Sequence, residues 1–304
     1  MNIKIGPAGW AYKDWDGIVY PAQIKKDKHP VEYLARYFDL IEINTSFYGK
    51  VRPEVAKLWC RKAKPVNSEF IFTFKLNKAF THSPIATVEP TSAKTIRFTD
   101  QDEDDAKGGL QALAEENMLG ALLMQFPISF KNTEPNRDHL ELLIRQFREY
   151  PMAVEVRHSS WSNPEVLEYF TRKGIAFCNI DQPLLGSAVE PSEHVTSDIG
   201  YVRLHGRRYD QWFEPEKSSD RYDYLYTVPE LMDWKAKISA VAKKANVTFV
   251  VANNHFEGKA PANALELKSM ITGQKVKAPQ LLVNAYPRLA AITDVEKEER
   301  TTLF

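Results

Sequence analysis

MAVEVRHSSWSNPEVLEYFTRKGIAFCNID, residues 152–181, holds the pattern that decides the fold. It opens on a short run, Met152–Arg157, in which apolar residues alternate with small or charged ones. A helical pattern follows from Pro164 to Lys173, and a second apolar run, Ile175–Asp181, closes the stretch. Proline is tolerated in the first helical turn because its missing N–H would have no partner there. Strand, helix and strand in close succession read as two parallel strands joined by a crossover.

The same alternation extends in both directions. Upstream, Ile3–Gly6, Leu40–Asn44, Phe70–Lys75 and Ala121–Phe126 read as strands; downstream, Tyr201–His205 and Thr248–Asn253 do. The helical patterns between them are Pro30–Phe38, Pro53–Lys64, Arg137–Tyr150, Pro229–Lys244 and Ala260–Ile271. Eight strands alternating strictly with helices predict closure into a (β/α)₈ TIM-type barrel, read as one α/β domain over residues 1–304. An open doubly wound sheet is the competing arrangement, but no glycine-rich phosphate turn follows an early strand. Two connections are long. Asn77 to Leu119 carries the acidic run Asp100–Asp105, read as a solvated face. Gly206 to Val228 carries Tyr209, Trp212, Phe213, Tyr222, Tyr224 and Tyr226, and reads as a lid or binding loop.

Composition fits this reading. The 304 residues suit a barrel folding as one unit, with 43% hydrophobic residues for the core and 26% charged residues for the surface. Lys plus Arg and Asp plus Glu both total 40, which argues against non-specific attraction to nucleic acid as the main function. Cys60 and Cys178 are widely separated and read as buried thiols in a reducing compartment. With no apolar leader and no run long enough to span a bilayer, the chain is expected to be cytoplasmic and to have no membrane partner.

Side chains alternate between the faces of a strand, and in a barrel one face points inward. Glu42 and Asn44 share a face on the second strand, Thr73 and Lys75 on the third, and Glu155 and Arg157 on the fifth. Asn179 and Asp181 share one on the sixth, and Tyr201, Arg203 and His205 on the seventh. Gln125 and the Asn253–Asn254 pair follow the same rule, so the polar residues gather at the C-terminal mouth. Barrel enzymes build their active sites there. A competing reading makes these charges a plug of ion pairs that only closes the mouth.

The same residues carry a family resemblance. Gly9-Trp10-Ala11-Tyr12-Lys13-Asp14-Trp15, Glu42-Ile43-Asn44-Thr45-Ser46-Phe47-Tyr48, Phe74-Lys75 with Thr81-His82, and Gln125-Phe126-Pro127 resemble motifs of the YecE-like family, a domain of unknown function numbered seventy-two. So do Glu155-Val156-Arg157-His158-Ser159-Ser160-Trp161, Asp181, Tyr201-Val202-Arg203-Leu204-His205-Gly206 and Asn253-Asn254. The resemblance runs from the first strand to about Pro287 and implies a TIM-type barrel, but no particular reaction. Pro7 departs from the pattern, standing where the family usually has a small residue.

For chemistry, Lys75, Arg157 and Arg203 converge with His205, a set suited to a phosphate ester or carboxylate. Glu155, Asp181 and His205 are the expected acid–base residues. Trp10, Glu42, Asn44, Tyr48, Lys75, Gln125, Arg157, His158, Trp161, Arg203, Asn253 and Asn254 are the expected ligand contacts. Trp10, Trp15 and Trp161 are placed on the pocket wall and Trp59 and Trp234 in the core; His82 and His158 are divided between packing and site. Hydrolysis of a phosphoester is the favoured reaction. No organic cofactor is expected, and a divalent metal on Glu155, Asp181, His205 and Glu42 is disfavoured by the neighbouring arginines. Two alternatives stay open: a glycoside-acting enzyme using Glu42 and Glu155 as its carboxylate pair, and a non-catalytic binder of nucleic acid or another anionic ligand.

Overall fold

Runs of β-branched and aromatic residues form the wall of a parallel barrel in this computed structural model, which describes residues 1–21, 24, 28–82, 98–209 and 220–296. The strands are β1 Ile3–Pro7, β2 Leu40–Ile43, β3 Ile71–Lys75, β4 Leu119–Gln125, β5 Met152–Glu155, β6 Ala176–Asp181, β7 Ile199–Leu204 and β8 Val247–Ala252. They pair in parallel in the order β1-β8-β7-β6-β5-β4-β3-β2. The remaining seam, between β1 and β2, is joined by a bridge from Ala8 to Glu42 and by backbone bonds Gly9 N to Glu42 O (2.8 Å) and Asp39 N to Ile5 O (3.1 Å). Gly6 permits that seam: a Cβ on it would lie 1.9 Å from the Leu40 carbonyl oxygen. The strands are almost wholly buried, as expected when helices cover the outside and side chains fill the interior.

Among the described residues seven helices of five or more residues follow the eight barrel strands: α1 Pro30–Leu34, α2 Pro53–Ala63, α3 Asp100–Glu115, α4 Glu134–Gln146, α5 Pro164–Lys173, α6 Val228–Ala242 and α7 Lys259–Thr272; an eighth, α8 Gln280–Ala285, lies beyond the barrel. The acidic run Asp100–Asp105 forms the first turns of α3. Thr99 and Asp102 close a capping box there, and the carboxylates lie at the positive end of the helix dipole. Lys50 pairs with Asp105.

One crossover departs from strict alternation: residues 182–198, between β6 and β7, contain no helix. Pro183, Gly186 and Pro191 interrupt any helical period there. Side-chain hydrogen bonds between β6 and the segment tie it down instead. Asn179 Oδ1 accepts from Ser192 Oγ and His194 N, both at 2.7 Å, and its Nδ2 donates to His194 O at 2.9 Å. Thr196 Oγ1 donates to Ile175 O at 2.6 Å and accepts from Phe177 N at 2.8 Å. Beyond the barrel, β9 Val276–Pro279 and β10 Thr293–Glu296 form a small parallel sheet that the periodicity did not predict. Trp212 and Phe213 of the aromatic loop lie outside the described residues. Among the described residues no helix is long and apolar enough to cross a membrane. Cys60 and Cys178 are both free and buried.

Candidate active site

Strand parity places two carboxylates and three basic side chains in one buried cluster at the C-terminal mouth. Arg203 on β7 is fully buried and lies between them: its Nη2 donates to Glu42 Oε1 on β2 at 2.7 Å, and its Nη1 donates to Glu155 Oε2 on β5. Glu42 Oε2 also accepts from Tyr201 OH at 3.0 Å. Glu155 Oε1 accepts from Arg157 Nε at 3.0 Å and faces His205 Nε2 at 3.1 Å. Burial pushes the Glu155 carboxyl up, but the Arg203 guanidinium, with His205 and Arg157, outweighs it and holds the group well below the usual carboxylate range.

His205 is the neutral member of the cluster. Burial is the largest influence; with Arg157 and Arg203 it outweighs the opposing Glu155 and brings the imidazole down to about 3. The shorter contacts favour one tautomer: Glu155, at 3.1 Å, can only accept, which puts the proton on Nε2 despite Arg157 Nη2 at 3.5 Å, and Nδ1 then accepts from Asn253 Nδ2 at 2.9 Å. Both ring nitrogens are therefore engaged in the buried layer, out of contact with solvent.

A cleft of about 190 Å³ opens above this layer. Trp10, Tyr12, Tyr48 and Tyr222 form much of its wall; Asn44, Lys75, Asn253 and His255 supply its polar atoms. The turn after β1 shapes one side: Gly9 takes φ +74°, and a Cβ there would lie 2.6 Å from the Tyr12 hydroxyl. Tyr12 stacks on His255 at 4.1 Å with 11° between planes, and Tyr222 lies against the same imidazole at 4.7 Å. Burial holds His255 neutral, down to about 4. Its Nδ1 and the Asn44 Oδ1 are buried with no hydrogen-bond partner among the described residues, leaving polar atoms for a ligand or water to satisfy.

Lys75, at the end of β3, is nine-tenths buried and reaches the cleft. Its Nζ lies 3.9 Å from the centre of the Phe47 ring and makes no hydrogen bond or ion pair to another described residue. Burial, then the Arg203 guanidinium, pulls its ammonium down to about 7, against the opposing pull of Glu42 and Glu155.

The other expected site residues are placed as follows. Asp181 leaves the cluster for a second one, where it accepts from Arg207 Nε (2.9 Å) and Nη2 (3.0 Å) and from Tyr226 OH (2.5 Å). Arg207 continues to Glu230, which Tyr224 also contacts. Trp161, expected on the pocket wall, is instead packed parallel to Phe130 at 5.2 Å, with its Nε1 donating to the Phe130 carbonyl. Trp15 is likewise buried, donating to the His255 carbonyl. His158 caps a short 3₁₀ turn by accepting from Ser160 N at 3.1 Å, and Asn254 Nδ2 bonds Tyr224 O and Asn263 Oδ1. Gln125 ends β4 with its side chain buried. His82 lies edge-on to Phe47 at 5.0 Å. Parity along strands missed Tyr12, His255 and Arg207, because all three stand in turns beyond the strand ends. Among the described residues no group of three or more His, Cys, Asp or Glu is arranged to hold a metal ion.

Comparison with known proteins places the barrel among relatives. The family model described as protein of unknown function DUF72 matches residues 4–286. A DUF72 family protein from Thermotoga maritima is 31% identical with a TM-score of 0.75, covering 90% of this chain and 100% of that one. One from Enterococcus faecalis is 22% identical with a TM-score of 0.73, covering 89% of this chain and 95% of that one. A search of curated proteins finds no match.

Proposed function

The chain belongs to the DUF72 family, and from that premise we propose that it is an enzyme whose mouth cleft takes a compact anionic molecule, a phosphate ester or a carboxylate. One observation carries the reading. The guanidinium groups of Arg203 and Arg157 are matched by Glu42 and Glu155, whereas Lys75 ends in the cleft with no carboxylate in ion-pair contact among the described residues. An incoming anion supplies the missing partner and shifts the lysine towards its charged form. Trp10, Tyr48 and Tyr222 offer aromatic faces to the organic part of the ligand.

This arrangement alters the expected division of labour. Arg203 braces the two carboxylates with its terminal nitrogens and is fully buried outside the cleft lining, so Lys75 and the partly exposed Arg157 are the ligand's basic contacts in this reading. The clamped pair Glu42 and Glu155 does not suit glycoside chemistry, since neither carboxylate reaches the cleft. If the reaction is hydrolysis of a phosphoester, a neutral Lys75 or His255 stands nearer the substrate than His205 does.

Titration calorimetry with phosphate monoesters and short carboxylates tests the site. Saturable binding is expected, weakened about tenfold (about 1.4 kcal/mol) in Lys75→Met and also weakened in Arg157→Ala. Binding that is absent, or unchanged in both variants, removes the anion site. Release of inorganic phosphate from the same esters by wild type separates an enzyme from a binding protein.

A further inference from the structure

Lys75 differs from the other buried cations in what surrounds it. An ammonium carries three N–H donors, and a buried one ordinarily finds carboxylate or carbonyl acceptors. Here the two nearby carboxylates, Glu42 on β2 and Glu155 on β5, are held by Arg203 and Arg157. The groups that influence the amine are those four, together with the neutral His82 beyond β3 and the Phe47 ring. Only the ring face and the two carboxylates favour its charge; burial and both guanidiniums oppose it. A neutral amine avoids that conflict and directs its lone pair into the cleft, the arrangement that activates a lysine as a nucleophile.

We propose that Lys75 forms an imine with its substrate, and that the cleft accepts a small aldehyde or ketone bearing an anionic group, a 2-oxo acid being the simplest. This rests on the anion-binding reading above and adds the reacting carbonyl to it. In the reaction, the Nζ lone pair attacks the carbonyl carbon and a C–N bond forms. The carbonyl oxygen takes one proton from the amine and one from solvent and leaves as water. The product is an iminium with one N–H and one positive charge. That cation stands where the ammonium stood, with the substrate's own carboxylate as counter-ion and Arg157 at the edge of the site. Asn44 and His255 then lie on either side of the bound carbon chain with polar atoms still to be satisfied.

Trapping decides the matter. The full chain is incubated with pyruvate or glyoxylate, reduced with sodium borohydride, and mapped by peptide mass spectrometry. One adduct per chain is expected on the peptide that contains Lys75, absent in Lys75→Arg, and forming faster as pH rises through about 7. Thermal melting confirms that Lys75→Arg is folded; should it not be, Lys75→Met replaces it. No adduct, or adducts confined to exposed lysines such as Lys13 and Lys64, overturns the proposal. Lactate, which cannot form an imine, separates the two readings. Lactate binding without pyruvate trapping leaves the anion site standing and the imine refuted, whereas failure of both ligands to bind removes the anion site as well.

Discussion

The buried charge cluster and the cleft above it are built from adjacent strands yet treat their polar groups in opposite ways. In the cluster the charged ends are engaged, with only Arg203 Nε lacking a partner among the described residues: Arg203 binds two carboxylates, Glu155 receives three basic groups, and His205 uses both ring nitrogens. In the cleft, Lys75 Nζ, Asn44 Oδ1 and His255 Nδ1 have no hydrogen-bond partner among the described residues. Asn253 belongs to both layers, lining the cleft while donating to His205. The lesson is that a charge at the mouth of a barrel is not automatically available to a ligand. A paired layer can serve as the floor on which a less satisfied layer works.

The sharpest way to break this comparison is to make the same chemical change in each layer. Arg203→Met leaves Glu42 and Glu155 buried without their shared guanidinium and should cost about 3–5 kcal/mol of stability, read from urea unfolding. Lys75→Met replaces a buried amine that has no carboxylate in ion-pair contact among the described residues and should be neutral or stabilising, as relaxed functional sites often are. Equal losses in both variants would erase the distinction between floor and site.

A second prediction concerns pH. His205 is held at about 3 in the folded chain, below the ordinary value of 6.5. Between those values the unfolded state binds the additional proton, so this histidine's contribution is present above pH 6.5 and is lost as pH falls towards 3. Glu155, whose folded value is also depressed, adds to the loss below the ordinary carboxylate range. Unfolding of His205→Gln, measured from pH 7 down to 4, should show a stability slope shallower by about one proton; an unchanged slope would mean that His205 is already charged in the fold.

The smallest effect is expected at the rim. Tyr222→Ala removes a ring that packs on His255 and lines the cleft. Ligand affinity should fall by about 0.5–1.5 kcal/mol, the usual worth of an aromatic contact, with little change in the melt. A large loss of stability would instead assign Tyr222 to the structural core.

Much of this organisation was legible in the amino-acid order. The eight strands follow from runs of Ile, Val and Phe, and period-two parity puts Glu42, Lys75, Glu155, Arg203 and His205 on the inward face. What parity cannot express is which partner each group takes. Asp181 has the same parity as the cluster, but Arg207 and Tyr226, from the connection after β7, draw it into a separate network. Trp161 stands just past a strand end, where alternation lapses, and Phe130 decides its orientation. Helix α3 was hidden because its first turns read as a solvated acidic run and Gly108 and Gly109 interrupt its apolar face. The general expectation of strict alternation named no helix for the crossover between β6 and β7, and there Asn179 and Thr196 fasten a segment without one.

The pairing of β1 with β8 sets an order of events for the nascent chain. Ile3 meets Thr248, and Trp15 donates to the His255 carbonyl, so the first strand, joined early to β2, waits for its ladder partner β8 until residues 247–252 have been made. Such long-range closure is slow in folding because its entropy is lost before its contacts form. The cleft spans that same seam, with Trp10 and Tyr12 on one side and Asn253 and His255 on the other. On the ribosome, then, the cleft is completed only after β8 has emerged, and a fragment ending before β8 lacks the wall that Asn253 and His255 supply.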